Sequence, residues 1–202
     1  MIEYLLKHYD DLFIALLEHL QLVAITMVFS LAIAAVLTLA SVYWPRLGEI
    51  LIQIFSVLYS VPSLALFAIL IPVTGLGTTT AVIVLTGYNQ YLLLRNFLTG
   101  LFEVDPAVTE AAAGIGMSTM QTLIKIRIPL AKRALITGIQ LAVISTIGIG
   151  TIAAMINAGG LGTILFDGLR TLNVNKIIWG SILSAGLALG INGIFKIIEK
   201  KG

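Results

Sequence analysis

The chain has 202 residues, 58% of them hydrophobic and 11% charged, with a formal net charge of +2 and no cysteine. Its mean hydropathy of +1.04 and its shortage of charge, against about 25% in a soluble domain, exclude one soluble core. Missing cysteine excludes disulfides and thiolate metal sites, and the slight positive balance gives no reason to expect nucleic acid. His8 and His19 stand alone as histidines without a second nitrogen ligand nearby, so they read as structural and no metal site is expected.

The expectation is an all-α membrane protein forming a single domain over 1–202. A bilayer crossing takes roughly 20 mainly apolar residues as helix, because backbone groups there must bond within the chain. In chain order, Ile2, Leu5, Leu6, Tyr9, Phe13, Leu16, Leu17 and Leu20 recur at helical spacing opposite Glu3, Lys7, Asp10, Asp11 and Glu18. That stripe predicts an N-terminal amphipathic helix lying along the outer interface. Uncharged runs then place five spans near 20–43, 50–72, 78–94, 134–157 and 177–196. Trp44-Pro45-Arg46 makes a short turn between the first two. Pro62 sits within the second span and predicts a kink, and Pro72 with Gly75-Leu76-Gly77 makes the turn into the third.

Span four carries Gly138, Ala142, Thr146, Gly150 and Ala154 at four-residue intervals, and span five carries Gly180, Ser184 and Ala188. Rows of small side chains let helices pack closely in lipid. After span four, Ala158-Gly159-Gly160-Leu161-Gly162 predicts unwinding, followed by a short surface helix over Thr163–Leu172 with Asp167 and Arg170 on one face. This loop is either a contact for an extracellular partner or a plain connector.

Basic residues set the orientation. With the N-terminus outside, Arg46, Arg95, Lys125, Arg127, Lys132, Arg133, Lys196, Lys200 and Lys201 lie on the cytoplasmic side, and Lys7, Arg170 and Lys176 outside. Nine against three puts the C-terminus and the largest polar loop, 95–133, in the cytosol.

Within that loop Asp105-Pro106 predicts a helix start, with Asp as N-cap and proline where its missing N–H costs nothing. Ala107–Ala113 follow, and Gly114 and Gly116 break them. Ser118 with Gln121 predicts a capping box for a second helix, running to about Arg127 and stopped by Pro129. Two short cytosolic helices joined at a glycine turn would form a lever for a partner to push.

Glu110-Ala111-Ala112, Gly116, Ile126 and Pro129 stand at the spacing E-A-A-x3-G-x9-I-x-I-P. This motif, with the five-span layout, resembles the docking loop of permease subunits from type I binding-protein-dependent ABC importers. Ser60-Val61-Pro62-Ser63, Arg95-Asn96, Val104-Asp105-Pro106 and Thr151-Ile152-Ala153-Ala154 are similar to the branch that moves quaternary-amine osmoprotectants such as glycine betaine, carnitine and choline. The likeness covers Ser60 to Gly168, and more loosely the rest. Ile128 replaces the family's usual leucine, and Ala113 and Ile115 are less polar than is common there.

The resemblance implies a multi-pass permease of the cell membrane with no cofactor of its own. Its partners would be cytosolic ABC ATPase subunits docked at Glu110, Ala111, Ala112, Gly116, Ile126 and Pro129, an extracellular substrate-binding protein on another polypeptide, and a second permease chain. Tyr59, Ser63, Thr151, Met155 and Asn157 are candidates for lining the pathway; pairing between helices is the other reading of the same residues.

Other classes fit less well. An ion-coupled secondary transporter or channel usually marks its spans with Asp, Glu or His, and the five predicted spans hold none of these. A structural anchor fits poorly with Tyr59, Ser60, Ser63, Asn89, Gln90, Ser145 and Asn157 inside spans. An enzyme is not expected: no G-x-x-x-x-G-K-[ST] phosphate loop occurs, so ATP hydrolysis would belong to the partner.

Overall fold

The computed structural model describes residues 1–201; Gly202 and the side chains of Lys200 and Lys201, two of the counted cations, lie outside the described residues. Among the described residues every element is helical: α1 Ile2–Lys7, α2 Tyr9–Tyr43, α3 Pro45–Ser60, α4 Ser63–Thr74, α5 Thr78–Phe102, α6 Pro106–Gly114, α7 Thr119–Thr122, α8 Ile128–Leu130, α9 Lys132–Ala153, α10 Leu161–Arg170 and α11 Val174–Lys201.

The centre of the bundle is α5, which packs on α2, α3 and α9, while α10 folds back on α11. Three tiers of core follow α5 from end to end. Leu22, Phe67, Leu85, Tyr88, Ala153 and Ile156 form the first. Val23, Met27, Leu93, Phe97, Ala142 and Ile147 form the second. Val42, Leu101, Leu123 and Ala131 form the third, beside the polar loop.

Among the described residues three helical stretches are long and apolar enough to cross a membrane, Tyr9–Tyr43, Lys132–Ile156 and Val174–Glu199, and α3 with α4 pass the same test jointly. Although 25 residues long, α5 is not among them. Tyr88-Asn89-Gln90-Tyr91 interrupts its apolar run, and the bundle shields the interruption. Asn89 Nδ2 donates to Ser30 Oγ at 3.1 Å and to Thr146 Oγ1 at 2.9 Å. Gln90 Nε2 donates to the Ser30 carbonyl at 3.2 Å. A helix satisfied by its neighbours need not be apolar all round.

The structure corrects three expectations. The predicted amphipathic stripe does not form a helix of its own before the first span; only the six residues of α1 stand apart. The chain turns only at His8, and α2 then runs 35 residues without a break, about 52 Å at 1.5 Å per residue against a hydrocarbon core of about 30 Å. The predicted stripe is mostly the uncovered face of this rod, because Leu12, Ala15, His19 and Leu22 form the face that packs inward. Secondly, Pro62 breaks the second span outright: α3 and α4 meet at 96°. Val61 is extended at φ −72°, ψ 133°, as the residue before a proline prefers, and its carbonyl accepts from the Tyr88 hydroxyl. Thirdly, Pro129 does not stop the second loop helix, as described below.

Beyond α9 the chain makes one 3-10 turn, Ala154–Ile156, and reverses at Asn157 (φ 63°). The short surface helix begins two residues earlier than predicted and ends two earlier, as α10. Gly162 lets α10 sit directly on α9, since a Cβ there would lie 1.9 Å from the Thr151 carbonyl oxygen. Glu18 and His19 of α2 fasten the same corner: Glu18 Oε2 accepts from the Gly160 N–H at 2.9 Å, and His19 Nε2 donates to the Ile147 carbonyl at 3.2 Å.

Candidate functional site

The loop between α5 and α9 is built from local signals that the sequence carries. Asp105 caps α6, accepting from the Ala107 N–H at 2.8 Å, with Pro106 at the first helical position. Its other end closes as a Schellman turn. The Met117 N–H donates to the Ala112 carbonyl at 3.0 Å and the Gly116 N–H to the Ala113 carbonyl at 2.9 Å. Gly116 therefore sits at φ +83°, a left-handed conformation that costs a Cβ-bearing residue about 1–2 kcal/mol. Ser118 and Gln121 complete the predicted capping box, at 3.2 Å from the Gln121 N–H to Ser118 Oγ and 2.9 Å from the Ser118 N–H to Gln121 Oε1.

From Thr119 the chain stays helical through Leu130, but Leu123–Arg127 widen into a π turn in which the Ile128 N–H reaches the Leu123 carbonyl. Pro129 supplies the reason. Its ring would collide with the carbonyl four residues back in a regular helix, and it donates no hydrogen bond. Widening the preceding turn carries the helix past the proline, and the break comes instead at Ala131 (φ −82°, ψ 1°).

The two halves of the loop are held differently. In α6, Glu110, Ala111 and Ala113 are exposed, and Ala112 alone is buried. In the second half, Leu123 is buried in the third core tier with Val42 of α2 and Leu101 of α5. The Arg127 guanidinium lies 5.6 Å from the centre of the Phe102 ring at the end of α5, the geometry of a cation–π contact. Ile126 is half-buried and Pro129 exposed. Glu110, Ala113, Met117, Thr119 and Arg127 enclose a cleft of about 260 Å³ between the halves. Of the six motif residues, then, Glu110, Ala111 and Ala112 occupy the free arm, Gly116 the turn, and Ile126 and Pro129 the anchored arm. Sequence reasoning missed Phe102, Leu123 and Arg127. The signal for Leu123 was available, as an apolar residue spaced helically from Ile126.

The pathway candidates divide into two groups. Tyr59 and Ser63 flank the α3–α4 break, both half-buried. Tyr59 packs edge-on to Tyr88 with centroids 5.4 Å apart and lies 5.2 Å from the Tyr91 ring. Thr151, Met155 and Asn157 lie at the far end of α9 and beyond, where Thr151 Oγ1 donates to the Ile147 carbonyl at 3.0 Å and Met155 and Asn157 are exposed. Asn89 and Gln90 are buried ties between helices. At the end away from the polar loop, Lys176 and Arg170 both bind Asp167 and hold its carboxyl below the usual carboxylate range. Among the described residues no group of three His, Asp or Glu side chains gathers to hold a metal ion.

The chain is similar to known proteins. A carnitine transport permease protein of Listeria monocytogenes is 34% identical over 172 residues, 85% of this chain and 79% of its own length. A glycine betaine/carnitine/choline transport system permease protein of Bacillus subtilis is 32% identical over 184 residues, covering 91% and 85%. An osmoprotectant import permease protein of Salmonella typhimurium is 33% identical over 203 residues, covering 98% and 94%. Among solved structures, the inward-facing MetNI methionine ABC transporter has a chain that superposes with a TM-score of 0.84 at 20% identity, covering 93% of this chain and 94% of that one. At that identity the likeness concerns the fold. The family described as the inner membrane component of binding-protein-dependent transport systems matches residues 32–201, most of the helical bundle and the whole polar loop, and the chain belongs to that family.

Proposed function

We propose that the chain is the permease subunit of an ABC importer for a quaternary-amine osmoprotectant, with the Glu110–Pro129 loop as the handle gripped by a separate ATPase subunit. The observation that carries this reading is the division of the loop into an exposed arm, α6, and an arm anchored in the core by Leu123. A partner can seat the first in a groove, as short alanine side chains permit, and the second passes its displacement to α2 and α5. The named substrates of relatives at 32–34% identity supply the cargo class.

In this reading the chain crosses the membrane five times, α5 being the crossing shielded by the others and α3–α4 the broken one. The N-terminus is outside, and the loop and C-terminus are in the cytosol. A second permease chain, identical or related, seats against surface this chain leaves bare, including Ala185, Gly186, Leu189 and Gly190 of α11. An extracellular binding protein delivers substrate near α10, and Tyr59, Ser63, Thr151, Met155 and Asn157 are assigned to the route between. Selection of the cation falls mainly to that receptor.

The chain contains no cysteine, so single introduced thiols report without background. Ala111→Cys should be labelled by a membrane-impermeant maleimide only after cells are opened, and protected by the ATPase subunit; Leu172→Cys should be labelled in intact cells. Labelling of Ala111→Cys from outside, or transport by the reconstituted chain without an ATPase, would overturn the proposal and return the ion-coupled carrier.

A further inference from the structure

We propose that the cleft between the start of α9 and the end of α11 binds the phosphate headgroup of one anionic phospholipid. The cleft encloses about 570 Å³ and is lined by Pro129, Leu130, Lys132, Arg133, Ile136, Lys196 and Glu199. Three cations face one carboxylate there. That carboxylate is committed: Glu199 Oε1 accepts from Arg133 Nε at 2.6 Å. The contact fixes the guanidinium while its terminal nitrogens have no partner among the described residues, and the Arg133 side chain stays 83% exposed. Lys132 and Lys196, both exposed, stand on the two helices that form the walls. No carboxylate of the described residues pairs with either lysine.

The walls match the ligand in a second way. Leu130 is 62% exposed, and Ile136, one turn deeper on α9, also lines the cleft. Both helices belong to stretches long and apolar enough to cross a membrane, so the cleft opens where a hydrocarbon face gives way to a basic rim. A phosphate on an acyl chain satisfies both halves, whereas a soluble anion satisfies only one. Basic pockets between membrane helices are a recurrent site for anionic headgroups, and each lysine or arginine near such a surface strengthens binding about fivefold. Pro129 ends the handle and also lines the cleft, so the site adjoins the proposed ATPase contact but includes neither Glu110 nor Gly116, and it depends only on the membrane location of the family.

The test uses the full chain purified in mild detergent and native mass spectrometry with added phosphatidylglycerol or phosphatidylcholine. One phosphatidylglycerol should be retained in preference to phosphatidylcholine. The Lys132→Gln/Lys196→Gln variant should lose about twenty-five-fold in that retention, while Lys7→Gln, at the other end of the molecule, retains it. Millimolar inorganic phosphate should not displace the lipid. Equal retention of both lipids by the unaltered chain would overturn the site without reference to any variant. Unchanged phosphatidylglycerol retention in the double variant would also overturn it. Displacement by inorganic phosphate would assign the cleft to a soluble anion, and loss of the lipid when the ATPase subunit binds would assign it to an acidic protein surface.

Discussion

The turn at Gly116 allows a test in which backbone strain and steric blockage predict different orders. Gly116 sits at φ +83°, and nothing lies within 4 Å of the position a Cβ would take. Substitution therefore costs conformational energy alone within this chain. Alanine should cost about 1–2 kcal/mol, which lowers the occupancy of the closed Schellman turn by a factor of about 5–30. Asparagine visits the left-handed region readily and should cost less, and valine, a genuine outlier there, more. Membrane insertion should be unchanged in all three, because α5 and α9 are untouched. ATPase stimulation and transport in proteoliposomes containing the partner subunits should fall in the order glycine, asparagine, alanine, valine. If Gly116→Val supported transport at the unaltered rate, the turn would not be a transmitting element. If asparagine and alanine were equally damaging, the loss would come from the partner's contact with the new side chain, and the backbone reasoning would be refuted.

Three other outcomes follow from the packing. Gly162→Ala places a Cβ 1.9 Å from the Thr151 carbonyl oxygen and 2.7 Å from the Ala154 Cβ; the backbone oxygen cannot step aside, so thermal unfolding in detergent should show a loss at the upper end of the 1–3 kcal/mol typical of overpacking. Asn89→Leu removes the tie among α2, α5 and α9 and should cost about 0.6–1.7 kcal/mol with transport retained, whereas a strong transport defect in a stable protein would make Asn89 part of the pathway. The carboxyl of Asp167 is held low in the fold by Lys176 first and Arg170 second, so its contribution is complete above the unfolded value near 4 and fades as pH falls through the lower folded value. Unfolding measured between pH 7 and pH 3 should thus show a steeper loss for the unaltered chain than for Asp167→Asn, and parallel curves would contradict the pairing.

What the sequence could disclose depended on the range of the forces involved. The caps at Asp105 and Ser118 and the turn at Gly116 are set by neighbours within one or two helical turns, and each stands where its residue types place it; of the predicted packing row, Gly138, Ala142, Thr146 and Gly150 are buried on α9, and Ala154 falls in the 3-10 turn beyond it. The continuous α2 and the 96° break depend on distant partners. Leu12, Ala15 and His19 are drawn inward, and Glu18 of the same helix grips the Gly160 corner 142 residues away. The stripe was a true apolar surface, but helical spacing does not say whether such a surface meets lipid or protein. The Pro129 error was of another kind: the rule that proline ends a helix omits the option of widening the turn before it.

That widening bears on how force would travel in the proposed importer. A regular helix through Pro129 would lose a hydrogen bond and clash with the carbonyl of Lys125; the π turn removes the clash and rotates the residues before it relative to α8. Leu123 opens that turn and Arg127 closes it. Both side chains reach α5, one in the third core tier and one over the Phe102 ring. Both anchors therefore belong to the wide turn, and the anchored arm is joined to the central helix at both ends of that segment. The free arm has no comparable hold: α6 buries a single alanine, and it is joined to α5 by Glu103–Asp105 and to the anchored arm through Gly116. Displacement of α6 by a partner would load α5 directly through Glu103–Asp105 and, through the turn, Leu123, so that α5 and α2, which share the third tier, would move before α11, which does not enter it.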